Sequence, residues 1–580
     1  MVKTTRFIVY TLLAVAAWLA VAPAARAAEA EAVKHDVWLD IDTATGVGDV
    51  DDGIMLLQAL RSPELRIRGV SVLFGNATLD KAVPIARHIL DRYGPGDLTA
   101  VPGAATADEL FKPTAAVEAM ARALRDRPMH LVAVGPLTNV ATLLYRHPEL
   151  HDRIESIVMV AARRPGQRFV VVEDQPRPFP DANFEKDVPA MRVVLDSDVP
   201  LVFAPWEVST SLWLHDADLD ALRETGGSGA WVERTSFYWQ KRWETGLGTD
   251  GFTPFDTLAI AWFTHRDELQ RMPVSVAIET GPDDGGRPYH RTPGEPKPYL
   301  VVRDPEMGQR RAVYLYRASP QVKQALLDRL AGRDGDPGPP SGPLYPLGDQ
   351  RFDHSAFDTI LRRHVDEHGL VHYETLAQDA ELLDVYLEQL GEVDIDKLTR
   401  DERFALLINA YNAFTLRLIL DHAPLDSIRS IPPEERWQAR RWNLGGRDVS
   451  LDEIEHIMIR PVFNDPRMHF AVVCAAVSCP PLLAEAYTGD RLDEQLDAQT
   501  RRINNTTPWL RYDPDRGVVV LTRLYDWYRA DFVRDAEGDL GLLRWIAAYH
   551  EPLAAALADD KTPKIQWADY DWSLNRSDGP

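Results

Sequence analysis

Five aspartates fall within thirteen residues near the start of the sequence, at positions 40, 42, 49, 51 and 52. Asp40 and Asp42 end a short apolar run, and the other three open the stretch that follows. Carboxylates packed this closely repel one another unless a positive charge lies among them. Because the set is rich in oxygen and lacks cysteine, we expect a hard cation. Calcium is expected before magnesium, since it tolerates irregular geometry and bidentate carboxylates.

Helix capping is the simpler interpretation of part of this cluster. Asp49, Asp51 and Asp52 stand where acidic side chains cap a helix and stabilise its dipole. Capping accounts for one or two acids at a helix start, but not for Asp40 and Asp42 on the strand before it. Residues two apart on a strand share a face, so these two are expected to point together toward the ligand-binding edge of an open sheet.

Short β-branched runs alternate with helical patterns over residues 37–331 and predict the elements that position the cluster. Predicted strands cover residues 37–41, 66–73, 130–134, 156–160 and 201–204. Predicted helices cover residues 51–60, 81–93, 115–125, 138–145 and 187–195. Such alternation is typical of an α/β domain with a mostly parallel sheet and flanking helices.

Length and composition limit the function classes. The chain has 580 residues, 45% of them hydrophobic, which indicates more than one globular core. Its formal charge of −24 provides no basic surface for nucleic acid and disfavours binding to anionic lipid. Two cysteines are too few for a disulfide scaffold or a cysteine-ligated zinc ribbon.

The first 27 residues have the pattern of a secretory signal peptide. Lys3 and Arg6 precede an apolar run over residues 7–22, and Ala25-Arg26-Ala27 supplies a small-x-small cleavage site. An uncleaved membrane anchor is the alternative, because this run nearly spans a bilayer of ~30 Å. The break at Pro23 favours cleavage. We therefore expect an exported protein, periplasmic in a Gram-negative source, without stable membrane insertion.

A run rich in Gly, Pro and Asp over residues 331–343 interrupts the α/β pattern. Such a run cannot form the interior of a helix or strand, so we expect an interdomain linker over residues 331–348. The α/β domain then covers residues 36–330. A separate α+β domain, with long helices and a few strands, is expected over residues 349–560.

Five short motifs follow one another in the α/β region. They are Asp40-x-Asp42 with Asp51-Asp52, Gly69-Val70-Ser71-Val72 with Gly75-Asn76, Val134-Gly135-Pro136-Leu137-Thr138-Asn139, Asp181-Ala182-Asn183 with Asp187, and Phe255-Asp256. In this order they resemble the inosine–uridine nucleoside hydrolase family over residues 36–320.

The resemblance implies a calcium-dependent enzyme that cleaves the N-glycosidic bond of a ribonucleoside to free base and ribose. The family's calcium ligands correspond to Asp42, Asp52, Asp256 and the backbone carbonyl of Thr138. Asp42 also corresponds to the residue that accepts the proton of the attacking water. Substrate-binding positions correspond to Asp51, Asn76, Met159, Asp181 and Asn183. Metal and carboxylates stabilise the oxocarbenium-like transition state of such a reaction.

The chain departs from the family at several places. Residues 43–48 lengthen the loop between the two acid pairs, and Asp181 stands where a glutamate is usual. Phe255 replaces a histidine that helps to protonate a purine, so the leaving group must be activated elsewhere or the substrate differs. Arginines at positions 163, 164 and 168 form either a salt-bridged surface loop or a clamp for an anionic substrate. For Asn76 and Asn139, turn or helix-cap chemistry is the alternative to a role in the site, and for Asn139 the two interpretations are equal.

Three further motifs lie in the C-terminal region. They are Asn409-Ala410-Tyr411-Asn412-Ala413-Phe414, Ser450-Leu451-Asp452-Glu453-Ile454-Glu455-His456, and His469-Phe470-Ala471-Val472-Val473-Cys474 with Cys479-Pro480-Pro481. They resemble the domain-of-unknown-function 547 family over residues 352–532, a resemblance that implies no secure activity. Capping boxes are expected at residues 399–402 and 450–453. Asn409 and Asn412 share a helical face, so their amides form either a core polar network or a binding site.

The histidines and cysteines of this region suggest two kinds of chemistry. His469 and Cys474, with His456 as another base, are candidates for thiol-nucleophile catalysis. However, an odd spacing on a predicted strand directs His469 and Cys474 to opposite faces. We therefore expect Cys474 and Cys479 to form a disulfide, with Cα atoms ~4.4–6.8 Å apart. A thiol-dependent enzyme is the alternative, and a partner- or cell-envelope-binding module is a third interpretation.

Together these patterns predict an exported nucleoside N-ribohydrolase-like domain followed by an α+β module. The alternative is a catalytically degenerate protein that binds a ribosyl ligand without cleaving it. The expected partner is a small-molecule nucleoside or related riboside, with Ca²⁺ as cofactor and no nucleic acid. A homo-oligomer is compatible with these expectations.

Overall fold

The computed structural model describes residues 34–46, 48–172, 175, 178–284, 295–339, 344, 348–439, 441–533 and 538–577. The chain forms two compact units that divide between Pro339 and Pro340. The predicted signal peptide lies outside the described residues, and so does part of the predicted linker.

A nine-stranded sheet forms the centre of the first unit. The strands of this unit are β1 His35–Ile41, β2 Leu65–Val72, β3 Ala100–Pro102, β4 Met129–Ala133, β5 Ile154–Met159, β6 Leu201–Phe203, β7 Leu214–His215, β8 Gly251–Phe252, β9 Leu269–Gly281, β10 Lys297–Arg303 and β11 Arg311–Ala318. The sheet order is β10-β9-β11-β6-β5-β4-β1-β2-β3, and β7 pairs with β8 separately. Within the nine-stranded sheet of the described residues, β9 pairs antiparallel with β10 and β11 and the other pairings are parallel, so the predicted α/β domain with a mostly parallel sheet is confirmed.

Helices connect and flank these strands. They are Asp51–Leu60, Leu79–Tyr93, Ala115–Asp126, Thr138–Arg146, Ala182–Glu185, Val188–Asp196, Trp206–Ser209, Asp216–Glu224, Gly227–Leu247, Thr257–Thr264 and Pro320–Leu330. The five predicted strands and five predicted helices are all present, each within two residues at either end. Periodicity located them well because each buries an apolar face against the sheet.

The strand order reverses at β1, which lies between β2 and β4. In an open α/β sheet, ligands bind beyond the carboxyl ends of the strands at such a switch point. The loop after β1 begins with Asp42, and the helix Asp51–Leu60 follows it with nine of its ten residues buried. The acid cluster therefore lies at the position where this fold forms a crevice.

Part of the predicted linker packs on the first unit. The guanidinium of Arg61 donates to Asp336 at 2.6 Å, and the hydroxyl of Ser228 donates to the same carboxylate at 2.8 Å. The hydroxyl of Tyr93 donates to the carbonyl of Pro337 at 3.0 Å. The first unit thus extends beyond the predicted boundary at residue 330.

The second unit is mainly helical, with small sheets. Its helices are Ser355–His364, Tyr373–Gln378, Ala380–Glu392, Arg400–His422, Pro433–Arg436, Leu451–Glu453, Arg460–Phe463, Leu492–Asn504, Leu524–Trp527, Arg529–Phe532, Gly538–Ala547 and Glu551–Ala558. Its strands are β12 Trp442–Leu444, β13 Arg447–Val449, β14 Leu510–Asp513, β15 Val518–Leu521 and β16 Lys564–Trp567. The predicted α+β class is confirmed, with β12–β13 and β14–β15–β16 as separate sheets.

The helix Arg400–His422 forms the core of this unit. Among the described residues it alone is long and apolar enough to cross a membrane, but 83% of its most apolar window is buried within the protein. Its N-terminal capping box is only half formed. Thr399 accepts from the backbone of Glu402, while the Glu402 carboxylate binds His354 and the backbone of Gly489 instead. The box at Ser450–Glu453 is complete.

The second unit continues beyond residue 560, where the sequence pattern placed its end. Strand β16 pairs in parallel with β15. The hydroxyl of Tyr373 donates to Asn575 at 2.7 Å, and the backbone of Leu574 donates to Asp426. A four-residue strand followed by bonded coil carries too little periodicity to be recognised from sequence.

Candidate functional site

The loop after β1 brings Asp42 and Asp52 together. The backbone N–H of Asp42 donates to Oδ1 of Asp52 at 3.0 Å across ten residues of sequence. Within the loop, the hydroxyls of Thr43 and Thr45 bond each other at 2.9 Å. Both acids are completely buried. The lengthened loop therefore folds back on itself and keeps the two acids adjacent.

Three carboxylates converge beside this contact. Asp51, Asp52 and Asp256 are buried, and each can offer one oxygen within 4.8 Å of the others. Burial, followed by repulsion from neighbouring aspartates, raises the pKa of each well above the ordinary value. A purely oxygen donor set of this kind suits a hard divalent cation. Asp51, which the family resemblance assigned to substrate, thus lies in the candidate metal group.

Asp42 is held from two sides. The backbone N–H of Asn76 donates to Asp42 Oδ2 at 3.0 Å, and its side-chain amide lies 3.4 Å from Asp42 Oδ1 and from Asp52 Oδ2. The ammonium of Lys186 lies 3.2 Å from Asp42 Oδ2 and donates to Asn76 Oδ1 at 3.0 Å. Lys186 is only 6% exposed. The sequence reasoning missed this residue, although a lysine directly before Asp187 in a substrate-loop motif is a signal.

The charges in this crevice do not balance. Burial raises the pKa of Asp42, and the ammonium of Lys186 opposes that rise. Burial also raises the pKa of Asp49 to about 6. Lys186 pairs with Asp42, so the convergent group of Asp51, Asp52 and Asp256 retains surplus negative charge. Buried like charges are costly unless paired, and a bound divalent cation would compensate them. The residues therefore fit a metal ion.

Two glycines allow the backbone to approach Asp42. A Cβ at Gly75 would lie 1.7 Å from Asp42 Oδ2, and a Cβ at Gly135 would lie 2.9 Å from Asp42 Cβ. Either contact is too short for a real side chain. The Gly-Asn and Gly-Pro motifs of the sequence thus make room for this carboxylate.

Asp40 lies apart from the metal group. Its Oδ1 accepts from the hydroxyl of Ser71 at 2.5 Å and from the amide of Asn139 at 2.9 Å. Its Oδ2 has no hydrogen-bond partner among the described residues. Burial raises the pKa of Asp40 to about 7. Asp40 and Asn139 therefore brace neighbouring strands, and Asn139 also accepts from the backbone of Ala104.

Thr138 does not have the position that was expected for a metal ligand. It is the first residue of the helix Thr138–Arg146, so its carbonyl enters the helical hydrogen-bond ladder. Its hydroxyl donates to Asp187 at 2.5 Å. The carbonyl of Val134, at the end of β4, instead accepts from the side chain of Asn183 at 2.5 Å and directly precedes Gly135 beside Asp42.

The remaining substrate candidates border the same edge of the sheet. Asn183 also donates to the carbonyl of Val160 at 3.2 Å, so it joins the ends of β4 and β5. Asp181 accepts from the backbone of Ala162 at 2.9 Å, and burial raises its pKa to about 6. Met159 ends β5 and is 1% exposed within the core. The structure places Asp181 and Asn183 at strand ends and Met159 in the core beneath them.

An aromatic cluster that includes Phe255 adjoins Asp256, and the convergence of its rings was not expected from the sequence. Phe255 packs on Trp206 with ring centroids 5.1 Å apart and on Trp243 at 6.2 Å. Phe169 stacks on Trp206 at 5.1 Å, and Phe179 contacts both tryptophans. These residues lie far apart in sequence, so spacing alone does not reveal them. Aromatic faces of this kind suit stacking with a planar nucleobase.

Two of the three arginines after β5 are ion-paired. Arg163 is buried, bonds Asp284 at 3.0 Å and lies over the ring of Phe169 at 4.1 Å. Arg164 donates to Glu207 at 2.7 Å. Arg168 is exposed. For Arg163 and Arg164 the structure favours the salt-bridged alternative over an anion clamp.

Asn409 and Asn412 in the second unit form a core polar network. The amide of Asn409 donates to the carbonyl of Tyr487 at 2.8 Å and accepts from its N–H at 3.0 Å. Asn412 likewise donates to Ala471 and accepts from Val473, both at 2.9 Å. Each side chain thus provides the donor and the acceptor that the backbone of the facing segment would otherwise find in a neighbouring strand. Of the two alternatives, the structure supports the network.

The predicted strand through His469 and Cys474 is absent. His469 lies in a short 3₁₀ turn, Pro466–Phe470, and Ala475 has a φ of +60°. The backbone of residues 471–473 bonds the side chain of Asn412 rather than a neighbouring strand. The rule that side chains of a strand alternate between two faces therefore does not apply to this segment. His469 and Cys474 line one cavity, together with His456 and Cys479, so the expectation that they face opposite ways is wrong.

Cys474 and Cys479 form a disulfide with Cα atoms 6.2 Å apart, as expected. We expect the native protein to show no thiol reactive toward a maleimide, and two after denaturation with reductant. Mass spectrometry of the labelled chain measures this. A native protein with one reactive thiol would contradict the pairing and revive the thiol-nucleophile interpretation; a Cys474→Ser variant, which leaves one cysteine, is the positive control.

Comparison with known protein families agrees with the two-unit division of the sequence motifs. Residues 37–307 match the model of the inosine-uridine preferring nucleoside hydrolase family. Residues 395–502 match a family described as a protein of unknown function, DUF547.

Curated relatives match the first unit. The pyrimidine-specific ribonucleoside hydrolase RihA of Enterobacter sp. (strain 638) is 30% identical over 259 residues, which cover 40% of this chain and 80% of the relative. RihA of Klebsiella pneumoniae (strain 342) is 28% identical over 286 residues, covering 43% of this chain and 90% of the relative.

Solved structures of similar proteins include the plant nucleoside hydrolase PpNRh1, with a TM-score of 0.43 and 17% identity over 52% of this chain and 99% of that chain. The purine-preferring ribonucleoside hydrolase of Gardnerella vaginalis gives a TM-score of 0.42 and 18% identity over 51% of this chain and 98% of that chain.

Proposed function

The chain belongs, through residues 37–307, to the inosine–uridine preferring nucleoside hydrolases, and from this we propose an exported, calcium-dependent hydrolase of pyrimidine ribonucleosides. The observation that carries the proposal is the buried group of Asp51, Asp52 and Asp256 beside Asp42, at the switch point of the sheet. The products are a free base and ribose.

The metal proposal is supported by the donor set. Asp51, Asp52 and Asp256 would hold the ion, with Asp42 adjacent through its contact with Asp52. Calcium is proposed because several carboxylates of irregular geometry suit its large coordination sphere. When bound, such an ion lowers the pKa of water and stabilises oxygen ligands of the substrate.

Asp42 is proposed as the base that takes a proton from the attacking water. Asn76 fixes the carboxylate through its backbone and side-chain N–H groups. Burial raises the pKa of Asp42, which increases its proton affinity, while Lys186 favours the ionised form that must accept the proton. Lys186 therefore positions the base and keeps it charged.

The neighbouring acids are proposed to bind and stabilise the sugar. A ribose ring that carries developing positive charge is stabilised by the surrounding carboxylates. Asn76, Asp181 and Asn183 offer amide and carboxylate groups near the strand ends for the hydroxyls. The aromatic cluster of Phe255, Trp206 and Trp243 offers faces for the base.

The leaving group is the basis of one prediction. Phe255 has no ionisable proton to donate to a leaving group, and Glu207 is engaged by Arg164 and by the hydroxyl of Tyr314. We expect kcat/KM to be higher for 4-nitrophenyl riboside than for inosine, by about 10²–10⁴-fold, because the better leaving group needs no acid. Steady-state kinetics on both substrates measures the ratio.

A Phe255→His variant tests the same point from the other side. It should raise kcat for inosine and leave kcat for 4-nitrophenyl riboside nearly unchanged. The ratio of kcat/KM for the nitrophenyl substrate to that for inosine should therefore fall. Equal turnover of both substrates by the parent protein would show that another group donates the proton, and Trp206, Glu207 and Trp243 would be tested next.

Ribose release tests the proposed function against the degenerate alternative. Purified protein is incubated with uridine, cytidine and inosine, and free base and ribose are quantified, with Asp42→Asn as the background. Release of base from uridine or cytidine supports hydrolysis. Saturable binding of these nucleosides with no release above the background would establish a ribosyl-binding protein instead.

Export is proposed from the signal-peptide pattern of residues 1–27. N-terminal sequencing of the protein from its native cell envelope should find a start directly after Ala27. A protein that retains Met1 and fractionates with the cytoplasm would contradict export without affecting the hydrolase proposal.

A further inference from the structure

An ionic network of four charged side chains adjoins the segment of the first unit that carries Asp181. Its members are Arg163, Glu185, Asp284 and Lys297. Lys297, the first residue of β10, has no exposed surface, and Arg163 and Glu185 are only 2% and 6% exposed. Charged side chains are almost never buried to this extent unless they are paired.

Each acid of the ionic network lies within ion-pair distance of both bases. The ammonium of Lys297 is 2.8 Å from a carboxylate oxygen of Glu185 and 2.8 Å from one of Asp284. The guanidinium of Arg163 is 3.0 Å from Asp284 and 3.9 Å from Glu185. For buried ion pairs, the cost of removing the charges from water offsets much of the attraction. A role in stability alone therefore does not account for this burial.

Glu185 connects the ionic network to Asp181. Its Oε1 accepts from the backbone N–H of Asp181 at 3.1 Å and from the ammonium of Lys297 at 2.8 Å. The backbone N–H of Glu185 in turn donates to the carbonyl of Asp181 at 2.7 Å. Both backbone polar groups of Asp181 are thus bonded to one residue, whose own side chain is held by Lys297.

The side chain of Asp181 is fixed by a strained turn. Its Oδ2 accepts from the backbone N–H of Ala162 at 2.9 Å. Ala162 is completely buried and has a φ of +79°, a left-handed conformation that residues other than glycine rarely adopt. Such strain persists only where the surrounding structure determines it. Arg163 supplies that constraint, because its N–H donates to Leu300, its carbonyl accepts from Val302 and its guanidinium belongs to the network.

The two bases of the ionic network also favour the ionised form of Asp181. Burial raises the pKa of Asp181 to about 6 and Glu185 adds to the rise, while Arg163 and Lys297 oppose it. A hydroxyl forms a stronger hydrogen bond with a carboxylate than with a neutral acceptor. The bases therefore keep Asp181 in the form that suits a sugar hydroxyl.

We infer that Glu185 and Lys297 are positioning residues for the ribose-binding carboxylate of Asp181. Lys297 holds Glu185, and Glu185 holds the backbone from which the carboxylate reaches the sugar. The inference rests on the proposed function, because it takes Asp181 to bind ribose. An acceptor that is already ordered loses less conformational entropy when the substrate binds, so the network lowers KM. An interaction made equally in the ground state and the transition state does not change kcat.

A double variant separates positioning from stability. Glu185→Leu with Lys297→Met replaces one ion pair by apolar side chains of similar size, a change that folded proteins often tolerate, and leaves Arg163 paired with Asp284. It removes the acceptor for the N–H of Asp181. We expect KM for uridine to rise at least tenfold and kcat to stay within threefold of the parent. Steady-state release of base from uridine by the full chain, with saturating calcium, measures both.

Lys323→Met is the matched control. Lys323 pairs with Asp218 at 2.6 Å, between the helices Pro320–Leu330 and Asp216–Glu224, and its loss should leave KM unchanged. Thermal unfolding checks folding of each variant. If the double variant does not fold, Glu185→Leu alone, which leaves Lys297 its contact with Asp284, should show the same rise in KM.

An unchanged KM in the folded variant overturns the inference. A fall in kcat without a rise in KM also overturns it, because a network that only keeps the protein folded would reduce the active fraction and nothing else. A parent that binds uridine without cleaving it refutes the proposed hydrolysis alone. The Kd for uridine, measured by calorimetry, then replaces KM, and the same tenfold increase is expected. A parent that neither binds nor cleaves uridine overturns both proposals.

Discussion

Replacement of Asp42 by asparagine is expected to lower kcat for ribonucleoside hydrolysis by about 10²–10⁴-fold, the usual contribution of a positioned general base. The side chain keeps its size and can still accept from the backbone N–H of Asn76, so the fold should persist. It loses the charge that accepts the proton of water. Steady-state release of base from uridine, with saturating calcium, measures the effect.

Asp40→Asn is the matched control. Asp40 is also a buried aspartate of the same segment, but its Oδ1 bonds Ser71 and Asn139, and its pKa is raised to about 7 by burial. A neutral amide retains the acceptor, so kcat should stay within about threefold of the parent. An equal loss of kcat in Asp40→Asn and Asp42→Asn, with thermal stability unchanged in both, would contradict the role of Asp42 as the general base.

Replacement of Asp256 by asparagine is expected to abolish stabilisation by calcium. A ligand at 100 times its Kd stabilises a folded protein by about 2.7 kcal/mol, which appears as a rise in Tm of the unit that binds it. Without metal, the parent carries the mutual repulsion of Asp51, Asp52 and Asp256. In a chelator the variant should therefore unfold at the same temperature as the parent or higher, whereas in calcium the parent should be more stable.

Calorimetry measures the Tm of the parent and of Asp256→Asn, each in excess chelator and in calcium. Asp250→Asn, at an exposed site close in sequence, is the control and should keep the full response to calcium. A calcium-dependent rise in Tm that is as large in Asp256→Asn as in the parent would place the ion elsewhere.

The sequence predicted the helices and strands of the first unit closely, because each has a clear hydrophobic periodicity within its own segment. The helix Asp51–Leu60 was located at both ends, since nine of its residues are buried and two acids open it. Asp42 and Asp52 were also placed together by motif order. The helix position of Thr138 was predicted too, and it already implied that its carbonyl would be engaged in the helix.

Contacts between distant residues were not predictable in this way. Lys186 meets Asp42 across 144 residues, and the rings of Trp206, Trp243 and Phe255 converge from three separate segments. Spacing rules describe neighbours along one element, not side chains that a sheet edge brings together.

The second unit shows a different limit. Val472 and Val473 favour a strand by composition, yet the amide of Asn412 replaces the strand partner of this segment. The segment turns, and His469 and Cys474 reach one cavity. One side chain from a distant helix, bonded to the backbone of this segment, thus overrode local propensity.

The most direct test of calcium-dependent hydrolysis measures ribose release from uridine. Metal is first removed from the protein with a chelator, and calcium is then added back. The buried carboxylate group at the switch point predicts negligible release without metal and saturable recovery with calcium, at one ion per chain. Asp42→Asn should still gain thermal stability from calcium but release almost no ribose. Full activity in excess chelator, or recovery that does not depend on Asp42, would contradict the proposed mechanism.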